Sequence, residues 1–290
     1  MWNASPPRMV EPSPRIAPPE YREESKKKIR KGYTINQINH IRKILDKAPN
    51  PISPPPIIGI LNLKGGSQKT TTCHLFSQHL AIQGYKVLVV DTDPQGSLSA
   101  LFGKMPGTDI YFENTIGPFI LEQDELLTEL GYPEGTSSTL HYAIQKTYWD
   151  NIDIIPCCLE NLGIDLELPL IMNADDGDKT RYITKLSKGL TELKTNYDYI
   201  IIDGTPSLNL STINVVCACD VIFVPTPAEM MDFMSTLQFC TVLSETLEKL
   251  IESKIDISMP EIKFFINSHR DQTGMNLMRK IIKATNPSRY

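Results

Sequence analysis

Long apolar runs are missing from this 290-residue chain. No stretch approaches the roughly 20 residues that a membrane-spanning helix needs, and the proline-rich residues 1–19 lack the apolar centre of a signal peptide. Cysteine is also sparse, because the six cysteines show neither metal-ligand spacing nor the density of a disulfide framework. We therefore expect a reduced cytoplasmic protein with no stable membrane association.

Charge is unevenly distributed along the sequence. Residues 1–50 hold 11 Lys and Arg against 5 Asp and Glu, whereas the other 240 residues hold 18 against 29. The last 28 residues are basic again, with six Lys and Arg and one Asp. Basic ends on an acidic body are able to contact nucleic acid through its phosphates, although solvated polar ends explain the same charge equally well.

Proline predicts the domain boundaries, since half of the 22 prolines fall in the first 56 residues. We interpret residues 1–20 as a disordered, proline-rich lead. Residues 21–56 are predicted to be a helical segment that ends in a stiff proline linker, PNPISPPP at 49–56. The remaining residues, 57–290, are long enough for one large α/β domain.

One helix is predicted before the linker. Thr34 and Gln37 form a T-x-x-Q capping box, the usual sign of a helix start. An apolar stripe at helical spacing follows it, made of Ile35, Ile38, Ile41 and Leu45.

After the linker, short apolar runs alternate with helical stretches. A helix is predicted over residues 70–83, and segment 106–139 is too irregular to assign. Alternation of this kind predicts an α/β fold with a mostly parallel sheet and helices on both faces. The predicted strands are residues 57–63, 86–90, 152–155, 199–202, 221–224 and 262–266.

A glycine-rich loop follows the first predicted strand, with the sequence Lys64-Gly65-Gly66-Ser67-Gln68-Lys69-Thr70. Such a turn points backbone N–H groups and a helix N-terminus at one spot, which suits a phosphate. Lys69 would reach the outer phosphates and Thr70 would offer its hydroxyl to Mg²⁺. The usual P-loop pattern does not fit, because Leu63 and Gln68 occupy its glycine positions, but the deviant form K-G-G-x-x-K-[ST] does.

Acidic residues follow two later strands. Asp91 and Asp93 end the strand that closes near residue 90, and Asp203 to Pro206 (DGTP) follow the strand at 199–202. The carboxyl ends of parallel strands open onto one crevice, so these carboxylates are expected beside the glycine loop. There they can hold Mg²⁺ through its waters and orient an attacking water.

Together these motifs resemble the ParA/MinD family of deviant-Walker ATPases, which have a P-loop NTPase fold. The similarity covers roughly residues 33–266, and within the family the chain resembles the large plasmid-partition ParA proteins of the SopA type. The segments that resemble this subgroup are YAIQKTYWDNIDIIPCCL at 142–159 and TINVVCACDVIFVPTPAEMMDFMST at 212–236. We also expect Thr226, Pro227 and Glu229 to form the capped start of a helix.

The resemblance implies roles for individual residues. Lys64 matches the lysine that reaches the partner subunit's phosphates in an ATP-bound dimer, and Asp93 matches the acid that positions water. These two are the candidate catalytic residues. Asp203 to Pro206 match a switch that senses the γ-phosphate. The nucleotide site implied is Lys64, Gly65, Gly66, Ser67, Gln68, Lys69, Thr70, Thr71, Asp203 and Pro206, and the metal site is Thr70, Asp91 and Asp203.

The resemblance also implies a function. Members of the family bind ATP or ADP with Mg²⁺, form homodimers on ATP, bind DNA non-specifically and are released after slow hydrolysis. A centromere-binding partner of the ParB or SopB type stimulates turnover. The expectation is therefore a nucleoid-associated ATPase of plasmid or chromosome segregation in a bacterial cytoplasm.

Two departures from the family keep alternatives open. Gln68 replaces the usual loop residue, and the chain looks shortened at both ends, with residues 21–56 as the remnant of a winged-helix region and a C-terminal part incomplete. One alternative is a catalytically weak, nucleotide-dependent DNA-binding or autoregulatory module. Another is a MinD-like membrane-site regulator that uses the short amphipathic segment Met275–Ile282.

Smaller signals are ambiguous. Asn267 lies where some family members contact adenine, but we interpret it as a polar strand-end residue. Met230, Met231 and Met234 are expected to serve in core or dimer packing. The terminal basic residues, which fit a DNA surface and a solvated helix face equally well, are Arg270, Arg279, Lys280 and Lys283.

Overall fold

The computed structural model describes residues 20–24, 27–175, 177, 179–255, 257–267, 276 and 280. The chain divides into two compact units, residues 1–50 and 51–290. The boundary falls inside the proline segment. The disordered lead expected at 1–20 lies outside the described residues, except for Glu20.

The described part of the first unit contains an antiparallel strand pair that the sequence did not predict. Strand β1, Glu20–Glu24, pairs antiparallel with β2, Lys27–Gly32. This segment has no alternation of apolar and polar residues, the pattern by which strands are recognised. Helix α1, Ile35–Ile44, then starts at the predicted capping box. The Gln37 N–H donates to the Thr34 hydroxyl at 3.2 Å, and the Thr34 N–H donates to Gln37 Oε1 at 3.0 Å.

The second unit contains a seven-stranded sheet. Its spatial order is β5-β6-β4-β7-β3-β8-β9, and every neighbouring pair is parallel except the short edge pair β5-β6. The strands are β3 Ile57–Ile60, β4 Val87–Asp91, β5 Gln145–Lys146, β6 Ile152–Ile155, β7 Tyr199–Asp203, β8 Val221–Pro227 and β9 Glu261–Asn267.

Helices cover both faces of this sheet, which confirms the predicted α/β architecture. The α-helices are α2 Lys69–Gln83, α3 Ser97–Leu101, α4 Gly117–Ile120, α5 Asp124–Glu129, α6 Leu162–Ala174, α7 Thr180–Ile183, α8 Lys185–Leu193, α9 Leu210–Ala218 and α10 Met230–Glu252. Segment 106–139, which the sequence left unassigned, contains α4, α5 and short 3₁₀ turns. None of the described helices is long and apolar enough to cross a membrane.

Alternate residues of the central strands face opposite sides. Val87, Val89 and Ile201 pack with buried residues of α2 and α3. Leu88, Val90 and Ile202 lie in the larger cluster with residues of α8, α9 and α10. Because the strands are buried on both faces, they appear in the sequence as continuous apolar runs.

The prediction of a helix capped by Thr226 was wrong. Thr226 and Pro227 belong to β8, where they pair with Ile266 and Asn267 of β9. Glu229 is instead the residue preceding α10, and it makes no side-chain cap hydrogen bond within the described chain. Pairing with β9, more than 30 residues away in sequence, extends the strand past the local capping signal.

Candidate functional site

The glycine loop leads from β3 into α2 at the carboxyl edge of the sheet. A Cβ atom built on Gly65 or Gly66 would meet no described atom within 4 Å, so the loop borders open space. Gly66 has φ +75°, a conformation that favours glycine. Since α2 begins directly behind this loop, its N-terminal N–H groups and partial positive charge point to the same space, which suits an anion such as a phosphate.

Lys69 is the first residue of α2, and it is only 7% exposed. Its ammonium donates to the Lys64 carbonyl at 3.4 Å, which folds the side chain back along the loop. Burial lowers the Lys69 pKa, whereas the carboxylates of Asp203 and Asp93 act in the opposite direction. The loop therefore holds a largely buried cation whose charge is stabilised by acidic neighbours.

Asp203, the last residue of β7, is fully buried. Among the described residues, neither of its carboxylate oxygens has a hydrogen-bond partner. Burial raises its pKa well above the ordinary value, and the Asp91 carboxylate adds to this. The Thr70 hydroxyl and the Lys69 ammonium favour the charged form, although the hydroxyl does not meet the geometry of a hydrogen bond. A buried carboxyl group left without a partner is the feature expected where a cation binds.

Asp91 ends the neighbouring strand β4 in register with Asp203. Its Oδ2 accepts hydrogen bonds from the Ser99 hydroxyl at 2.7 Å and the Ser99 N–H at 2.9 Å, and its Oδ1 accepts from the Asp93 N–H at 3.1 Å. Burial raises the pKa of Asp91 to about 6, and these hydrogen bonds oppose the rise. Ser99 therefore fixes this carboxylate, and Ser99 Oγ itself accepts from the Cys157 N–H at 3.0 Å.

Asp93 lies in the turn after β4 and is half-buried. Its Oδ1 accepts from the Gln95 N–H at 3.0 Å. The preceding Thr92 ties this turn to β7, because its N–H and its hydroxyl both donate to the Asp203 carbonyl, at 3.1 and 2.8 Å. The two acidic strand ends predicted from sequence thus form one connected edge.

The segment after Asp203 approaches β3 closely. The Gly204 N–H donates to the Ile60 carbonyl at 3.2 Å, and a Cβ atom on Gly204 would overlap the Leu61 side chain. Pro206 is exposed at the rim, unlike the buried Asp203. Thr71, on the first turn of α2, is also exposed.

Lys64 makes a contact that sequence reasoning missed. Its ammonium lies 3.1 Å from Asp232 Oδ1 in the first turn of α10. Buried Asn62 supports this arrangement, because its Oδ1 accepts from the Lys64 N–H at 3.0 Å while its amide donates to Thr236 Oγ1 at 3.0 Å. The first part of the loop is therefore attached to α10 within the same chain.

Asn267 is more than a polar strand-end residue. Its amide nitrogen donates to the Ser67 carbonyl at 2.5 Å, and among the described residues its Oδ1 is buried without a partner. It therefore holds the middle of the loop and presents an unused acceptor beside it. Met230, Met231 and Met234, expected in core or dimer packing, are all exposed, which excludes the core.

The residues present fit Mg²⁺ better than a metal that needs a protein cage. Within the described parts of the chain, no group of three His, Cys, Asp or Glu side chains could hold a metal ion. Mg²⁺ commonly keeps several waters and takes only one or two protein oxygens with those of a phosphate. The predicted ligands Thr70, Asp91 and Asp203 lie near one another at the same sheet edge, and Asp203 has unsatisfied oxygens.

The raised Asp91 pKa predicts a pH effect on the nucleotide-free protein. Between about pH 4 and pH 6 the unfolded chain releases this proton while the folded chain retains it, so folded stability is lost as pH rises through that window. The unfolding free energy of the wild type, relative to Asp91→Asn, should fall by up to about 3 kcal/mol from pH 4 to pH 7. Urea denaturation across this range measures the difference, and parallel curves would show that the pKa is not raised.

Gln68 is the loop residue that departs most from the family pattern. It adopts the left-handed conformation, with φ 64° and ψ 32°, directly before α2. This conformation costs a non-glycine residue about 1 kcal/mol, which is partly offset by the greater freedom of glycine in the unfolded chain. We expect Gln68→Gly to leave the unfolding free energy unchanged or to raise it by up to about 0.5 kcal/mol.

Leu75→Gly, at an exposed position inside α2, is the matched control for Gln68→Gly. It should lower the unfolding free energy by about 1 kcal/mol, because glycine is unfavourable in a helix. If urea denaturation gave equal losses for the two variants, Gln68 would not carry conformational strain.

Comparison with known proteins agrees with this geometry. A family profile described as an AAA domain matches residues 56–257. Protein SopA of Escherichia coli K12 is 35% identical over 273 residues, which cover 92% of this chain and 65% of SopA. This chain therefore spans slightly less than two thirds of that relative.

Two solved structures share the fold. One, described as a partition protein, has a TM-score of 0.72 at 20% identity and covers 94% of this chain and 74% of its own. The other is a cobyrinic acid a,c-diamide synthase from Mycobacterium smegmatis, crystallised with ADP and magnesium, with a TM-score of 0.61 at 22% identity over 79% of this chain and 81% of its own. Together with the profile match over most of the sequence, these findings show that the chain belongs to the AAA domain family, in its ParA/MinD type.

Proposed function

We propose that this chain is a Mg²⁺-dependent ATPase that segregates DNA, as the resemblance to SopA suggests. The observation that carries the proposal is the fully buried Asp203, whose carboxylate has no partner in the described chain and lies near Lys69 at the open glycine loop. An anion site beside a buried acid without a partner suits a phosphate and its magnesium ion together.

Different residues of the site bind the phosphates, hold the metal ion and orient water. Residues 65–71 and the start of α2 bind the phosphates, and the Lys69 ammonium balances their charge. Thr70, Asp91 and Asp203 would hold Mg²⁺, which would supply positive charge against the phosphates. Asp93 accepts a hydrogen bond from the attacking water and so orients it. Asp203 to Pro206 form the switch that senses the γ-phosphate.

The site has two states, which differ in what the Lys64 ammonium contacts. In the isolated chain its ammonium pairs with Asp232 on the half-exposed side of the loop. We propose that an ATP-bound dimer transfers this ammonium to the phosphates of the second copy, where it stabilises charge during hydrolysis. The exposed Met230, Met231 and Met234 lie beside this ion pair on α10, in a position to pack against the second copy.

A DNA-binding measurement tests the proposal that the chain acts on DNA in response to ATP. Fluorescence anisotropy of a non-specific duplex should show tighter binding with ATP and Mg²⁺ than with ADP, and the affinity should fall as salt increases. Nucleoid association in a bacterial cytoplasm and stimulation by a centromere-binding protein of the ParB or SopB type would follow. Equal DNA affinity with ATP, ADP and no nucleotide would contradict the proposal.

A catalytically weak, nucleotide-dependent DNA-binding or autoregulatory module is the second candidate. The feature behind it is the exposed Gln68 side chain, which replaces the usual loop residue directly before α2. Such a module would bind DNA in response to ATP but would show no turnover above that of Lys69→Ala. The MinD-like alternative depends on Met275–Ile282, of which only Asn276 and Lys280 are among the described residues. Co-sedimentation with anionic vesicles tests it directly, and no binding would end it.

The predicted domain roles also remain proposals. These are a segment related to a winged-helix region in residues 21–56, an ATPase domain over 57–290, and a DNA surface at Arg270, Arg279, Lys280 and Lys283. Apart from Lys280, those basic residues lie outside the described residues.

A further inference from the structure

Helix α6 carries an apolar face that the nucleotide site does not use. Ile164 and Leu168 point into the core, where both are buried. On another face, Leu162, Leu166 and Leu170 follow one another at four-residue spacing, and Leu159 precedes them. These four residues, which we call the leucine face, are 58% (Leu159), 51% (Leu162), 73% (Leu166) and 67% (Leu170) exposed in the described structure.

A helix that is apolar on opposite faces is usually covered on both. Single exposed leucines are ordinary on protein surfaces, but three on successive turns of one helix, with Leu159 in the turn before it, mark an interaction surface. The charge around the leucine face indicates what covers it. From Leu159 to Ala174 the charged residues are Glu160, Asp165 and Glu167, and this stretch contains no Lys or Arg.

The acidic character continues on the neighbouring helix. The Gln123 amide donates to Glu167 Oε2 at 3.1 Å, which brings the start of α5 beside α6. A cavity of about 400 Å³ at α5 is lined by Asp124, Glu125, Thr128, Glu129 and Glu134. The leucine face is therefore an apolar stripe with acidic borders.

This charge selects among possible occupants. Anionic lipid and DNA would both be repelled by the acidic borders. A second copy that used the same face would place Glu160, Asp165 and Glu167 against their own equivalents, since a two-fold interface pairs a patch with itself. A partner helix with an apolar stripe and basic flanks matches both the leucines and the charge.

We propose that the leucine face of α6 is the docking surface for a basic amphipathic helix of a partner protein. The same helix is attached to the segment that follows Asp203. Asp165 Oδ1 accepts from the Ser211 hydroxyl at 2.9 Å and the Ser211 N–H at 3.1 Å, and Asp165 Oδ2 accepts from the Asn209 amide at 2.6 Å. A helix docked on α6 thus contacts an element that holds residues 209–211, only a few positions beyond Asp203.

A synthetic peptide tests the docking surface. It has about 20 residues, with leucines on one helical face and Lys and Arg along both borders, and its control carries Glu in place of every Lys and Arg. Fluorescence anisotropy with the full chain, without nucleotide, should show saturable binding of the basic peptide only. The double variant Leu166→Glu/Leu170→Glu should weaken this binding at least tenfold, because the burial of even one leucine side chain contributes about that much to the affinity.

Ile251→Glu is the matched control variant, because Ile251 is a 47% exposed apolar residue at the far end of α10. It should bind the basic peptide as the wild type does, and all variants should keep the circular dichroism spectrum and melting temperature of a folded chain.

Glu160→Lys/Glu167→Lys should also weaken binding, because it removes the acidic borders. Equal binding of the acidic peptide, or unchanged binding by the leucine double variant, would overturn the proposal. So would a wild-type dimer that Leu166→Glu/Leu170→Glu converts to a monomer in analytical ultracentrifugation, since a second copy would then cover this face.

The connection that Asp165 makes between α6 and residues 209–211 is tested by a separate measurement, and this part of the proposal rests on the proposed nucleotide site. A non-hydrolysable ATP analogue with Mg²⁺ should change the peptide affinity at least about fivefold, and Asp165→Ala should remove that change while leaving docking intact. An unchanged affinity in the wild type would overturn this coupling. Because docking itself is measured without nucleotide, its result stands independently of whether the chain hydrolyses ATP.

Discussion

Lys69→Ala is expected to lower steady-state ATP turnover at least about 10³-fold. Lys69 is the nearly buried cation of the glycine loop, and its ammonium stabilises charge in a place that water barely reaches. Its loss should also weaken ATP binding. A coupled assay of phosphate release and a titration with fluorescent ATP measure the two effects separately.

Lys249→Ala supplies the control for Lys69→Ala, since Lys249 is an exposed lysine in the last turn of α10. It removes the same charge from the same protein and should turn over ATP at the wild-type rate. Comparable turnover by Lys69→Ala and the wild type would mean that the glycine loop is not where ATP reacts.

Lys64→Ala is expected to lower turnover by about 10²- to 10³-fold while the affinity of a single chain for ATP changes little. The reason is that the Lys64 ammonium points to Asp232 within its own chain and is proposed to act on the phosphates of the second copy. In a mixing experiment, Lys64→Ala should regain part of its activity when Lys69→Ala is added, because each mixed dimer then contains one complete site.

Asp232→Asn separates two possible roles of Lys64. It breaks the same 3.1 Å ion pair from the other side but keeps the lysine. If the lysine acts at phosphates, Asp232→Asn should retain most of the turnover that Lys64→Ala loses. If the two variants lose turnover equally, the ion pair itself is what matters, and the role of Lys64 across the dimer is wrong.

The parts of the site that are local in sequence were the parts that sequence could predict. Lys69 and Thr70 follow a glycine turn, and Asp91 and Asp203 end apolar runs, so the parallel-sheet rule brings them to one edge. The helix over residues 70–83 and the strand at 152–155 appear almost as predicted, because a capping or breaking residue and a continuous apolar run define them.

What sequence could not predict depends on distant contacts. Asn267 reaches Ser67 across 200 positions, and Asn62 reaches Thr236 across 174. Neither has a local pattern that distinguishes it from an ordinary polar residue. The capping box expected at Thr226 failed for the same reason, since pairing of β8 with β9 outweighs a local helix signal.

The leucine face shows that apolar spacing in a sequence does not by itself identify the buried face of a helix. Leu162, Leu166 and Leu170 have the spacing of a buried stripe, and only the structure shows that Ile164 and Leu168 are the residues that face the core. A periodic apolar pattern indicates which residues share a helix face, but it does not indicate which face the rest of the chain covers.

Steady-state ATP hydrolysis by the full chain with Mg²⁺, with and without non-specific DNA, tests the central claim most directly. Turnover is expected to be slow, to rise when DNA is added, and to disappear in Lys69→Ala. Turnover of the wild type no higher than that of Lys69→Ala under both conditions would contradict the proposal that this glycine loop and its acidic strand ends form an ATPase site.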